Sequence, residues 1–149
     1  MSILLLQTGI DVNEQDDEGN CALLEASKEG HVDVAKLLLK HPGIDINREN
    51  VIGVTPLHMA ASGPWHEIVG MLLRFPNIQV NRQDELGRAP LHKAANYAGI
   101  EVIEKLLNHP AIQINLESNR GQTPLALAIR QGHEAVSYTH LTLPTICSV

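Results

Sequence analysis

Residues 53–61 read Gly-Val-Thr-Pro-Leu-His-Met-Ala-Ala, and residues 87–95 read Gly-Arg-Ala-Pro-Leu-His-Lys-Ala-Ala. Thr55 is a hydroxyl N-cap, and Pro56 stands at the first helical position, where a missing N–H costs nothing. Leu57, Ala60 and Ala61 recur at i, i+3 and i+4, which predicts a narrow buried stripe on a short helix. Gly63-Pro64 breaks that helix. Ile68, Val69, Leu72 and Leu73 then predict the buried face of a second helix, closed by Pro76. Ile78-Gln79-Val80-Asn81 alternates as an extended stretch, and a glycine turn at Gly53 or Gly87 leads to the next cap.

Working outward, the same spacing runs through the chain. Asn13, Asn47, Asn81 and Asn115 lie 34 residues apart, as do Gly19, Gly53, Gly87 and Gly121. Ala26, Ala60, Ala94 and Ala128 keep the interval, and so do Leu5, Leu39, Leu73 and Leu107. A helix pair of this size cannot bury its apolar face alone, so the units must stack into a solenoid. The expected organisation is the second half of a unit at 1–15, full units at 16–49, 50–83 and 84–117, and the first half of a unit at 118–136.

These segments together resemble the ankyrin repeat. The matching residues are Gly53, Thr55-Pro56-Leu57-His58, Ala60-Ala61, Gly30-His31, Leu38-Leu39 and Asp45-Ile46-Asn47. The resemblance covers residues 3–136 and implies an all-α solenoid of helix-turn-helix units with hairpin-like loops on one side. It also implies a protein-binding role without catalysis. The period exceeds the family's usual one by a residue, placed in segments such as Leu73-Arg74-Phe75-Pro76. Asn13 and Asn47 each follow Asp and a branched residue, a pattern that asparaginyl hydroxylases favour in this family, which makes them candidate modification sites. The bland alternative is that they bridge loop backbones. Two departures weaken the caps: Cys21-Ala22 and Ala89-Pro90 stand where Thr-Pro is usual. Residues 137–149 carry no charge and lose the period, so they read as an out-of-register tail of non-native origin, the alternative being a natural variable tail. The chain reads as a slice of a longer array.

Composition excludes several function classes. The net charge of −6 argues against a nucleic-acid binder, and four aromatic residues leave few stacking platforms. The apolar run Ile3–Leu6 is too short for a membrane span. Cys21 and Cys147 form no zinc or disulfide framework. His133-Glu134 lacks the second histidine of a helical zinc pair, because position 137 is Ser. His58 and His92 recur one turn after the cap and are expected to bond loop backbone, while His41 and His109 stand where a side chain can meet the helix C-terminal dipole. The expectation is no enzyme, no cofactor and no metal, in a monomeric chain of the intracellular compartment, in the cytoplasm.

Partner binding is expected at the loop tips and on the exposed edge of the first helix, where a solenoid varies from unit to unit. The candidates are Asp17, Glu18 and Asn20 in the first full unit, then Val51, Ile52, Val54 and Trp65. Leu86, Arg88 and Tyr97 follow, with Arg120 and Gln122 last. The surface thus runs acidic, apolar, mixed, then basic. Three branched apolar residues at one tip, together with Trp65 and Tyr97 as residue types favoured at hot spots, are the sharpest hint of a protein or peptide site, the alternative being that they pack on the neighbouring loops and only lengthen the stack. A second reading makes the array the targeting or regulatory arm of a multidomain enzyme or channel. A third is a truncated fragment without function of its own.

Overall fold

The computed structural model describes residues 10–97 and 99–132. Most of the half-unit expected at 1–15 and the tail at 137–149 lie outside the described residues. Seven helices follow one another among the described residues: α1 (Ala22–Glu29), α2 (Val32–Leu39), α3 (Pro56–Ala61), α4 (His66–Leu73), α5 (Pro90–Tyr97), α6 (Ile100–Leu107) and α7 (Pro124–Arg130). Among the described residues there is no strand, and the chain is an all-α repeat solenoid.

Two helical layers build the body. The first helices α1, α3, α5 and α7 stack on one another in order, and α2, α4 and α6 form the second layer behind them. The first layer can approach closely because its facing residues are small: Ala26, Ala60, Ala61, Ala94, Ala95 and Ala128 are all buried. The second layer supplies bulk through Leu38, Ile68, Leu72, Ile103 and Leu106. Every unit thereby buries a stripe that a lone helix pair would expose, which is the main source of stability.

Capping follows the sequence closely. The Thr55 side chain accepts the His58 amide, and His58 Nδ1 accepts the Thr55 amide in return at 3.2 Å. Thr123 caps α7 by accepting the Ala126 amide at 3.2 Å. Cys21 makes no side-chain cap, as its thiol would suggest. At Ala89 half the reciprocal cap survives, since His92 Nδ1 accepts the Ala89 amide at 3.0 Å.

Residues 78–81 place Val80 in the core without strand pairing, so the alternation reflects one-sided burial. His41 and His109 bond within the turns that follow their helices. Their Nδ1 atoms accept the amides of Gly43 at 3.0 Å and Ala111 at 3.1 Å.

Candidate functional site: the tip ladder and its basic groove

Each unit enters its first helix through a four-residue tip: 16–19, 50–53, 84–87 and 118–121. The first side chain of each tip gathers two amides. Asp16 Oδ1 accepts from Glu18 and Asn20, Asn50 Oδ1 from Ile52 and Val54, and Asp84 Oδ1 from Leu86 and Arg88. Ser118 Oγ does the same for Arg120 and Gln122, at 3.3 Å each. The fourth residue is a glycine with φ between 71° and 79°, a left-handed conformation that side chains disfavour. At Gly19 a Cβ would also lie 2.7 Å from the Val51 nitrogen, because the next tip packs there.

Neighbouring tips are joined by backbone hydrogen bonds. Val51 N–H donates to the Glu18 carbonyl at 3.0 Å, Glu85 to Ile52 at 3.0 Å, and Asn119 to Leu86 at 2.9 Å. With the backbone used inward, the second and third side chains of every tip face solvent. Val51 is 72 % exposed, Ile52 40 % and Leu86 49 %. Asp17, Glu18 and Arg120 are exposed as well.

Behind the tips a ladder of asparagines fixes the spacing. Asn13 donates to the Gly43 carbonyl and accepts the Asp45 amide, both at 2.8 Å. Asn47 repeats this with Asn77 and Gln79, and Asn81 with Ala111 and Gln113. Both candidate modification residues therefore have their amides held at each end.

One candidate contact residue turns out differently. Val54 is only 3 % exposed and belongs to the core, not to the apolar tip. It follows the tip glycine, at the start of the return to the helix, where the chain points inward. Trp65 is half-buried against the core, and its Nε1 donates to the Lys28 carbonyl at 3.1 Å. A Cβ at Gly30 would lie 2.5 Å from the Trp65 ring, so that glycine makes room for the indole. Asn20 is half-buried, donating to Glu18 and accepting from Asn50.

The remaining candidates converge. Leu86, Arg88, Tyr97, Arg120 and Gln122 line one groove of about 370 Å³ between the last two tips and helices α5 and α7. Tyr97 stands at its edge, 63 % exposed. Lys93, Asn96, Asn119 and Arg130 also line it, and of these Lys93 lies outside the surface positions expected from the sequence. The missed signal is Lys93 standing on the track of Met59, a charge where the preceding unit is apolar.

Below the groove lies a buried charge cluster. Asp84 pairs with Arg88 at 3.3 Å and Lys93 at 3.4 Å. Burial pushes the Asp84 carboxyl up, but the Arg88 amide, the charges of Lys93 and Arg88 and the Leu86 amide outweigh it and hold it below the usual value. Burial also lowers Lys93, helped by Arg88 and opposed by Asp84. His58 and His92 close the frame: their Nε2 atoms meet the carbonyls of Arg88 and Gln122, both at 2.8 Å. Burial drives His58 down to about 4 and lowers His92 as well, so both are neutral and donate through Nε2. Among the described residues, no group of three or more His, Cys, Asp or Glu could hold a metal ion.

A second concavity of about 320 Å³ opens on the back, between α2 and α4. Leu39, Met71, Phe75 and Pro76 form its floor and Lys36, Lys40 and Arg74 its rim. Among the described residues, no helix is long and apolar enough to cross a membrane.

A stack of helix pairs joined through hydrogen-bonded tips defines a repeat protein whose exposed edge is free to vary. The ankyrin-repeat family model matches residues 1–84 and 57–138, in three copies, and the chain belongs to that family. Ankyrin repeats are in general protein–protein interaction modules. Comparison with curated proteins gave no match.

Proposed function

We propose that this chain is a non-catalytic binding module, monomeric and cytoplasmic, that holds a partner protein or peptide across its tips and first-helix surface. The observation that carries this reading is the tip ladder. Its backbone groups are spent on neighbouring tips, so Val51, Ile52 and Leu86 are held outward with no core to fill. Exposed apolar side chains on a rigid frame, beside a charged groove, suit a protein surface. Preorganisation of the frame lowers the ordering cost of binding.

The test is site-specific photocrosslinking from Val51, from Tyr97 and, on the exposed back, from Glu67. The expected result is one protein adduct shared by the two front positions and absent at Glu67. The double change Val51→Asp and Ile52→Asp should remove the Tyr97 adduct while leaving the helical circular dichroism unchanged. Equal crosslinking from front and back, or an adduct indifferent to the double change, would overturn the reading.

A further inference from the structure

The chemistry of the groove says what the partner carries there, an inference that rests on the protein-binding reading above. Four cations line the groove, and two of them, Arg88 and Lys93, share the Asp84 carboxylate. Among the described residues, Arg120 and Arg130 pair with no carboxylate. A guanidinium fork matches a carboxylate in bidentate geometry, so two unmatched forks on one concave wall favour acidic side chains. The anion must be short. Two units away the ladder carries Asp16, Asp17 and Glu18, all exposed, which would repel a polyanion laid along the whole edge. Between these ends the outward tip residues are Val51, Ile52, Glu85 and Leu86, three of them apolar.

We propose that the partner contributes a peptide segment whose acidic cluster occupies the groove between α5 and α7, with adjoining apolar residues lying on Leu86, Ile52 and Val51. Arg120 and Arg130 receive the carboxylates, and Tyr97 closes the edge. Asp84 keeps Lys93 and Arg88 extended toward the groove floor and subtracts part of their charge, so specificity falls on the two free arginines.

Fluorescence anisotropy of the full chain tests this. The probe is a labelled peptide, Leu-Leu-Gly-Glu-Glu-Glu-Gly-Leu-Leu, compared with its Gln counterpart, a phosphoserine counterpart and a single-stranded oligodeoxynucleotide. The Glu peptide should bind about tenfold more tightly than the Gln peptide, and the preference should fade with added salt. The double change Arg120→Ala and Arg130→Ala should abolish the preference, Arg74→Ala on the back should leave it intact, and Asp84→Asn should strengthen it. Equal binding of the Glu and Gln peptides, tighter binding of the oligonucleotide, or binding of the phosphoserine peptide alone overturns the proposal. If none of the probes binds while the Val51 crosslink persists, the acidic-segment proposal falls and the protein-binding reading stands.

Discussion

The stretches at 50–83 and 84–117 repeat one backbone arrangement and present two different surfaces. Asn50 and Asp84 occupy the same place and accept the same pair of amides. Around Asn50 the neighbours are Val54, buried, and Met59, half-buried, and the tip above is Val51-Ile52. Around Asp84 the corresponding residues are Arg88 and Lys93, and the tip is Glu85-Leu86. A neutral turn residue thus goes with an apolar return, and an ionised one with two cations. The lesson is that backbone hydrogen bonds set the frame, while the surface is chosen by small groups of side chains that change together. The paired change follows from energetics, because a carboxylate this deep is strongly unfavourable without cations beside it.

Acid is the strongest way to break the frame that both units share. His58 sits near 4 when folded against 6.5 in the unfolded chain, so between these values the unfolded state binds more protons. Stability should therefore fall as pH drops through that window and level off below it, by roughly 3 kcal/mol at the limit. The lowered value at His92 acts in the same direction. Urea titrations at pH 7 and pH 4 measure the loss, and His58→Gln should flatten the dependence. An unchanged pH profile in that variant would show that the histidine is not the source.

Separating charge from turn geometry at Asp84 sharpens the comparison. Asp84→Ala removes the acceptor of two amides and orphans two cations, and should cost about 3 kcal/mol. Asp84→Asn restores the arrangement found at Asn50 and should recover part of that loss. Equal denaturation midpoints for the two variants would mean that the turn bonds contribute nothing.

Smaller effects lie at the caps. Ala89→Thr gives the later unit the cap that Thr55 gives the earlier one, and should stabilise by about 1 kcal/mol in thermal unfolding. Thr55 is itself buried in the equivalent place, so the frame has room for it. Ser27 is buried, and its hydroxyl has no partner among the described residues, where the two following units have Ala61 and Ala95. Ser27→Ala should be neutral or stabilising by up to about 1 kcal/mol. A clear loss of stability would reveal a hydrogen bond at that hydroxyl.

Most of the fold was legible in the residue order because its signals are local. A cap, a proline after it, a 3-4 apolar stripe and a glycine at positive φ each act within a few residues. Their repetition at one interval implies stacking. The tip residues Asp17, Glu18, Val51, Ile52, Leu86 and Arg120 were legible as exposed positions for the same reason. Val54 was not: its apolar side chain looks the same beside an exposed tip as inside the core, and only the direction of the returning chain decides. The packing of Trp65 over Gly30 was not legible either, because the two residues belong to different units.

The amino-acid sequence by itself determined the solenoid, its period, its caps and the outward tips, since these rest on backbone hydrogen bonding and side-chain size at fixed spacing. Tertiary structure alone decided the groove. Lys93 is separated from Arg120 and Arg130 by whole helices in the chain, yet stacking brings them to one wall, above an Asp84 carboxylate whose ionisation depends on burial and on cations brought to it. Charge density in space is a property of the stack, and the order of residues along one unit does not contain it.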